Sequence, residues 1–462
     1  MQAVPTYFSN ILADQTLDDS TASVDWAEYR TTDLNISSGN TQTTDYYQLV
    51  IKDSDVWLLM SQAYLQVRAK LVSSADGEVA DGQVVTLAAA GASLFQRMEL
   101  LANDSQIDIC ENPQFVQLVN ALMNYNKDKL ASVAESEWLM LDFAPGALGP
   151  QQGGANPGDS LAIQGPQFSG LAAQVWEHGD GCAVIRQWVR SVAATANNAG
   201  SIAPNYNAGF AARWNRSRNG REFEIIIPLA SVFGFCRDIK SVHRGIKWEM
   251  NLQKNIRYPS VCHSSGVVLP NIVAADDKVK TLIKKISLWV PQITPALEAV
   301  QMLEQALSQS VISKQYFENM TCRFSEEYPA NSVEQEWLLP LEGHRPTRIV
   351  FGFQRQAQYN TQGDISELNL AGRLQLSNET HSNPSTFSTM CRYDVDTKLM
   401  TGGITEAELK VNTKSLPREK YRISFSDATP EYERLYVDFL KSSGKFQDES
   451  GSAVSYKDYK NL

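Results

Sequence analysis

The sequence has no long apolar run. None of its 462 residues lies in a stretch approaching the roughly 18–20 apolar residues that a membrane-spanning helix requires. Residues 1–14 also lack the basic region and the long apolar region of a signal peptide. We therefore expect neither a membrane span nor a secretion signal. A chain of this length is expected to fold into two or more domains.

Cysteine and histidine are scarce. The six cysteines include no Cys-x-x-Cys pair, and without a secretion signal we expect reduced thiols rather than a disulfide framework or a zinc site. The five histidines lie far apart, with none at metal-ligand spacing. We interpret the one adjacent pair of soft ligands, Cys262-His263, as ordinary packing or surface residues.

Catalytic motifs are absent as well. No Gly-x-Ser-x-Gly, His-Glu-x-x-His, P-loop or Gly-x-Gly-x-x-Gly pattern occurs. The acidic pairs Asp276-Asp277 and Glu326-Glu327 are typical of solvated loops rather than of carboxylates placed for acid–base chemistry. We predict no catalytic residue, no metal site and no cofactor, and hence no enzyme.

Basic residues are in the minority, at 41 against 52 acidic, for a net charge of −11. That balance argues against a surface that follows nucleic-acid phosphates, and it is typical of a soluble protein or of a particle exterior. One basic cluster, Arg213, Arg216, Arg218 and Arg221 around Trp214, has the composition of an anion or nucleic-acid site. We interpret it as a charged loop that pairs with an acidic neighbour, in this chain or in another subunit. No sequence-specific binding of nucleic acid is predicted.

Alternation of apolar and polar residues is what the sequence has in abundance, and it predicts half-buried antiparallel strands. The apolar positions of these runs are Leu65, Val67, Ala69 and Leu71; Phe223, Ile225 and Ile227; Trp248, Met250 and Leu252; Ile286, Leu288 and Val290; Ile349, Phe351 and Phe353; Leu374 and Leu376; and Tyr421, Ile423 and Phe425. The pattern predicts a mainly β protein.

Three helices are predicted, each opened by a capping residue followed by proline at Asn112-Pro113, Thr294-Pro295 and Thr429-Pro430. The middle helix is the best candidate for a hinge between two β domains. Long loops rich in glycine, proline and asparagine are predicted at 144–170 and 194–220. The strand-associated tryptophans are predicted to be core residues rather than a sugar-binding platform; they are Trp57, Trp248, Trp289 and Trp337.

Nine segments, in this order, carry a family resemblance: 26–30, 53–58, 63–71, 93–100, 122–125, 227–236, 248–252, 285–291 and 345–354, the last ending in Gly352-Phe353-Gln354. Together they resemble the major capsid proteins of polinton-like and adintovirus-like elements, the double jelly-roll, hexon-like lineage. Two segments depart from that pattern. Residues 101–104 read Leu-Ala-Asn-Asp where the family commonly has Leu-Asn-Gly, and residues 367–378 lack its Tyr-Pro ending.

The resemblance implies a mainly β fold of two consecutive jelly-roll sandwiches with a few short helices. Residues 1–44 are then an N-terminal arm, 45–297 the first jelly roll with its long loops, and 298–462 a linker helix and the second jelly roll. Family members continue with further strands beyond the region of Ser455, whereas this sequence ends at Leu462. Either the sequence is partial, or another polypeptide supplies the last strands, or the second domain is built differently.

The function that the resemblance implies is structural. It is that of a virion protein whose homotrimer forms a pseudo-hexagonal capsomer, which tiles an icosahedral shell with neighbouring capsomers and with penton and minor capsid proteins. The host compartment of assembly and the presence of an internal membrane stay open. Two alternatives stay open too. One is a domesticated capsid-derived scaffold, and the other is a β-sandwich protein that binds or hydrolyses carbohydrate, which needs an aromatic platform or two convergent carboxylates.

Overall fold

The protein is described by a computed structural model. The described residues are 21–31, 45–52, 55–73, 77–78, 85–87, 89–140, 213, 216–217, 220–255, 260–262, 279–308, 315–323, 336–338, 346–350, 393–394, 399–400, 406–411, 414–423 and 431–459. Within them the chain is mostly β, with antiparallel sheets and a few short helices. No helix in these ranges is long and apolar enough to cross a membrane.

One sheet contains five antiparallel strands in the order β1-β11-β4-β8, with the short β3 paired to the end of β11. Their bounds are Thr21–Arg30 for β1, Trp57–Leu58 for β3, Tyr64–Ser73 for β4, Glu222–Pro228 for β8 and Val279–Pro295 for β11. The long β11 lies between β1 and β4 and holds this sheet together.

The second sheet contains four antiparallel strands in the order β2-β9-β6-β7. Their bounds are Tyr46–Ile51 for β2, Phe95–Ala102 for β6, Ser105–Glu111 for β7 and Trp248–Lys254 for β9. Two short strands, β5 (Val85–Leu87) and β10 (Ser260–Cys262), pair with each other beside the main sheets.

The order of the strands defines the connectivity. If the eight main strands are numbered along the chain without β3, β5 and β10, the sheets read 1-8-3-6 and 2-7-4-5. The pairs 1–8, 2–7, 3–6 and 4–5 are therefore nested inside one another, as in a long hairpin rolled around a core. This is the connectivity of an eight-stranded jelly roll.

Both sheets contribute to one hydrophobic core. Alternate residues of β4, β8 and β11 are almost fully buried and meet the inward residues of β2, β6 and β9. The inward positions of the first sheet are Leu65, Val67, Ala69, Phe223, Ile225, Ile227, Ile286, Leu288 and Val290. These are the positions that the alternation in the sequence predicts, and Trp248, Met250 and Leu252 face them from β9. The strand and core predictions for these runs are confirmed.

Two helices fill the connection that follows β7. Helix α1 spans Pro113–Asn124 and α2 spans Lys127–Val133, where the Asn126 side chain accepts a hydrogen bond from the Lys129 amide at 2.7 Å. Helix α3, Gly234–Asp238, lies between β8 and β9. The other α-helices in the described ranges are α4, Leu297–Ser308, α5, Glu433–Ser442, and α6, Tyr456–Tyr459.

The described sheets after residue 295 are two-stranded. Strands β12 (Tyr393–Asp394) and β13 (Leu399–Met400) form one pair, and β14 (Glu406–Val411) and β15 (Lys414–Arg422) form the other. Residues 346–350, the described part of the strand predicted around Ile349, contain no strand. The predicted positions 351–354, 374, 376 and 425 lie outside the described residues.

A bridging segment, residues 315–323, joins the later part of the chain to the sandwich. The Cys322 amide donates to the Glu111 carbonyl at 3.3 Å, and the Asn112 side chain donates to the Cys322 carbonyl at 3.1 Å. Since Glu111 is the last residue of β7, the segment covers the edge of the second sheet at that point.

Aromatic and charged contacts with α3 complete this attachment. The Phe317 ring packs edge-on against Phe235, with 5.4 Å between centroids. The Glu318 amide donates to the Asp238 carboxylate at 3.0 Å, and the Glu318 carboxylate lies 3.4 Å from the Arg237 guanidinium. The segment is thus held by its backbone and by its side chains.

The end of the chain also returns to the sandwich. The Ala453 amide donates to the Tyr125 carbonyl at 3.0 Å. Ala453 and Val454 pack against buried residues of α1, including Leu118 and Leu122. Residues more than 300 positions apart in the sequence therefore belong to the same packed body.

Two sequence predictions need correction. Residues 21–30, predicted as part of the N-terminal arm, form strand β1 of the five-stranded sheet, because their backbone pairs with β11 and Tyr29 packs against the core. The long loops lie outside the described residues, apart from positions 213, 216, 217 and 220.

The second correction concerns the helix starts. Asn112 precedes α1, but its backbone is left-handed (φ 51°) and its side chain bonds Cys322 instead of capping the helix. Thr294 and Pro295 end β11, and the helix begins at Leu297. Helix α5 begins at Glu433 rather than just after Pro430. Asn112 is held by its bond to Cys322, and Thr294 and Pro295 are held in the strand by pairing with β1, so tertiary contacts override the local capping preference at these two sites.

The first prediction concerns Gly234. A Cβ atom at this position would lie 1.6 Å from the Glu318 carbonyl oxygen, so in Gly234→Ala the bridging segment or α3 must move. We expect the free energy of unfolding to fall by about 1–3 kcal/mol in urea denaturation. Amides in 315–323 should exchange faster in hydrogen–deuterium exchange.

Gly77→Ala is the matched control, since its Cβ would meet only the Ser73 hydroxyl, at 3.3 Å. It should leave exchange in the bridging segment unchanged. Unaltered exchange there in Gly234→Ala would contradict the close approach.

Candidate interaction surfaces

The reactive residues that the structure describes do not converge. Within the described ranges, no group of three or more His, Cys, Asp or Glu side chains is placed to hold a metal ion. His243 lies beside the rings of Phe235 and Trp248, at 5.6 and 5.7 Å, and burial lowers its pKa. His263 and the acidic pairs 276–277 and 326–327 fall outside those ranges.

Three cysteines are free thiols in buried or half-buried positions. Burial raises the pKa of Cys110 and of Cys236, and it raises the pKa of Cys322 to about 11. Because the thiolate is the nucleophilic form, none of the three is activated for nucleophilic chemistry.

Arg213 of the predicted arginine cluster is part of the protein interior. Its side chain is fully buried; Nε donates to the Leu87 carbonyl at 3.0 Å and Nη1 donates to the Met140 carbonyl. Arg216 lies over the Trp138 ring, 5.2 Å from its centroid. The buried Arg213 guanidinium thus connects segments of this chain and is not presented to a ligand.

The tryptophans divide between the two sides of the five-stranded sheet. Trp248 is in the core, as predicted. Trp289 and Trp57 are half-buried on the outer face, opposite to the core face, because Trp289 alternates with the buried Leu288 and Val290. The prediction that all of these rings are core residues is wrong for Trp289, for Trp57 and for Trp337, which is 38% exposed.

The outer face of this sheet has an apolar end. Val24, Ile293 and Trp57 are cross-strand neighbours on β1, β11 and β3, and such neighbours share a face. Trp26 and Pro291 form the next row, followed by Trp289, Tyr64 and Pro228. Val24 is 51% exposed and Trp26 is 47% exposed. We call these eight residues the apolar end.

Its three central aromatic rings contact one another. The Trp26 and Tyr64 rings lie 5.5 Å apart and are tilted by 48°, and the Tyr64 and Trp289 rings lie 6.4 Å apart and are stacked. The Trp289 indole N–H donates to the Gln66 side chain at 2.8 Å. These contacts hold Tyr64 and Trp289 in place and leave Trp26 as the exposed ring.

The rest of the outer face is charged and internally paired. Glu28 accepts from Arg30, from Lys285 at 2.7 Å and from the Ser287 hydroxyl at 2.7 Å, which lowers the pKa of Glu28 to about 2. Further ion pairs join Arg68 to Glu224 at 2.7 Å and Lys284 to Glu222 at 3.3 Å. These ion pairs join four basic and three acidic side chains, and we call these seven residues the charged end.

The edges of the two sheets differ in how they are covered. On β8, the Ile226 amide donates to the Ser136 carbonyl at 2.8 Å, and the bridging segment bonds the end of β7. Among the described strands, β1 pairs with β11 alone. The apolar end therefore borders an edge strand with no strand neighbour in the described part of the chain.

Two buried carboxyl groups lie beneath the attachments of the later chain. Asp108 accepts from the Phe235 amide at 2.9 Å, and its burial raises the pKa to about 6. Glu137 accepts from the Tyr125 hydroxyl at 3.1 Å, and burial raises its pKa to about 7. Both groups favour the protonated form in the folded protein.

The sequence carries a signal for the apolar end. Tyr64 and Trp289 occupy polar positions of their strands, in phase with Gln66 and Ser287 and out of phase with Leu65 and Leu288. An aromatic ring in the polar phase of an alternating strand indicates a second apolar face. This signal does not identify Trp26, because the sequence predicts an arm and not a strand for residues 1–44.

Comparisons with known proteins find no matching family model and no curated relative. Solved structures of viral capsid proteins do match. The capsid structure of the Sputnik virophage has 8% identity and a TM-score of 0.35, covering 64% of this chain and 53% of that chain. The mavirus major capsid protein has 11% identity and a TM-score of 0.31, with 64% and 53% covered.

A third match is the capsid of the virus PBCV-1, at 10% identity and a TM-score of 0.31, covering 63% of this chain and 47% of that chain. The chain thus spans about half the length of the structures that it matches. At TM-scores below 0.5, the likeness is too distant to support an argument about function.

The buried arginine gives a second prediction. Truncation in Arg213→Ala leaves the carbonyls of Leu87 and Met140 without this donor inside the protein, and we expect a loss of about 1–3 kcal/mol of unfolding free energy for each unsatisfied group. Urea denaturation measures it. Arg221→Ala, at an exposed position, is the control and should change stability by less than about 1 kcal/mol. Equal effects of the two changes would contradict the structural role of Arg213.

The third prediction is a pH dependence. Because the folded pKa of Asp108 is about 6 against an ordinary 3.8, the folded state keeps a proton that the unfolded state has lost. The free energy of unfolding should therefore fall as the pH rises from the ordinary pKa to the folded pKa, and the full destabilisation is present above the folded pKa. Asp108→Asn removes the ionisation, so we expect its stability relative to wild type to improve by on the order of 1–3 kcal/mol between pH 4 and pH 7.

The variant Glu137→Gln distinguishes the contribution of Glu137 to the pH dependence from that of Asp108. Its relative stability should change mainly between an ordinary pKa of 4.5 and about 7, a window that extends higher than that of Asp108. Urea midpoints at several pH values measure both variants. A pH profile of Asp108→Asn parallel to that of wild type would show that Asp108 does not hold its proton in the folded state.

Proposed function

We propose that this chain is a structural virion protein, a major capsid protein whose two consecutive jelly rolls assemble as trimeric, pseudo-hexagonal capsomers of an icosahedral shell. The observation that carries the proposal is the nested strand order 1-8-3-6 and 2-7-4-5. It occurs in the part of the chain that contains the sequence segments resembling the first jelly roll of double jelly-roll capsid proteins.

The arrangement of the described residues fits a protein whose function lies in its surfaces. The sandwich is compact, and its buried polar groups serve to join segments, as Arg213 does. The described thiols are not activated, and the large outer face of the first sheet combines an apolar end with paired charges. Shell assembly sums many such contacts, so each can be weak.

Partners follow from this role. They are other copies of the chain within a trimer, neighbouring capsomers, and penton and minor capsid proteins. The site of action is the virion. A fold alone does not define a function, since jelly rolls also occur in lectins and in other proteins.

Glycan binding is the second candidate, because Trp26, Tyr64 and Trp289 form an aromatic group on the outer face of a sheet. Titration of soluble oligosaccharides by calorimetry tests it directly. Saturable binding by a monomeric protein would favour this candidate over the capsid.

The fourth prediction tests assembly. The purified chain should form trimers in size-exclusion chromatography with light scattering, and negative-stain microscopy should show three-fold particles of pseudo-hexagonal outline. In the same microscopy, closed shells are expected when the chain is co-expressed with the product of any downstream reading frame. A chain that stays monomeric at all accessible concentrations would overturn the proposed function.

A further inference from the structure

The apolar end gives the five-stranded sheet an apolar surface on both sides. Its inner face is the core of the sandwich, while its outer face presents eight apolar residues in three cross-strand rows. Exposed apolar patches rimmed by polar residues mark places where another surface docks. Here the rim is the charged end.

The ring geometry disfavours a saccharide as the occupant. A sugar stacks its flat face parallel to an aromatic ring, and a longer glycan needs neighbouring rings in one plane. Trp26, the exposed ring, is tilted by 48° from Tyr64. Tyr64 and Trp289 are half-buried and in contact with each other. The surface is uneven and suits the side chains of a protein.

The charge of the surface indicates which kind of protein docks on it. The chain carries a net charge of −11, whereas the charged end of this face has four basic and three acidic side chains. The remaining residues of the chain therefore carry a net negative charge. With one more basic than acidic side chain in its ion pairs, the outer face can meet a second copy of this acidic chain with less repulsion than two acidic faces would.

We propose that the apolar end, with Trp26 at its centre, is a self-association surface that contacts a different, acidic surface of a second copy of this chain. Such a contact is heterologous, and its repetition closes a ring when the rotation between copies divides a full turn. The inference rests on the proposed function for the identity of the occupant, and it adds the location of the contact.

The experiment uses the full chain and the variant Trp26→Glu. This change removes the exposed ring and places a negative charge opposite an acidic partner, so we expect association to weaken at least about 10-fold in sedimentation over a range of concentrations. Tyr46→Glu is the matched control, because Tyr46 is an aromatic residue 66% exposed on β2 of the other sheet. It should associate as the wild type does.

Two measurements guard against a folding defect. Circular dichroism and thermal unfolding compare the variants, and Val24→Glu, at a residue 51% exposed on the same face, replaces Trp26→Glu if that variant does not fold. Hydrogen–deuterium exchange locates the contact. On association of the wild type, residues 21–30 and 57–66 should gain protection, and residues 46–51 should not.

The outcomes separate the inference from the proposed function. Trimers or shells that form equally well with folded Trp26→Glu would overturn the inference and leave the capsid role intact. Association that depends on Trp26 but yields rings or open chains other than trimers would support the inference and overturn the capsomer, and a closed two-fold dimer would overturn both. Trp26→Glu that affects glycan binding, in a protein that does not associate, would overturn both.

Discussion

The register of β11 between β1 and β4 is the constraint on which the rest of the structure depends. Pairing of Leu288 with Leu65 and with Tyr29 places alternate residues of three strands in the core. A slip of one residue would exchange the core face with the face that carries Trp289. The same register therefore determines the core, the apolar end and the ion pairs around Glu28.

The sandwich was largely predictable, because most of its strands alternate cleanly and have one face on the core. For Leu65 and Ile286, for example, the position in the alternation of apolar and polar residues alone predicts a buried side chain. The outer face was not predictable as a unit, since its rows join residues far apart in sequence, such as Val24 and Ile293. The predicted side-chain cap of α1 is absent for a related reason, although the helix begins at Pro113 as predicted: Asn112 is held by a contact more than 200 residues away.

The described later part of the chain is anchored to the sandwich in two places. The bridging segment bonds the edge of β7, and the chain around Ala453 bonds helix α1's end at Tyr125. Beneath each contact lies a carboxyl group, Asp108 or Glu137, whose burial costs free energy when it is ionised. The packing of the later chain is thus connected to the protonation of the sandwich.

The nested pairing of the strands also determines the order in which they can pair during synthesis. Glu28 and Ser287, which share a hydrogen bond, are separated by 259 positions. At about 5–20 residues per second, a ribosome needs on the order of tens of seconds to travel between them. During that interval the newly made β1, with Val24 and Trp26, has no β11 to join, so the first strand of the sandwich is among the last to be secured.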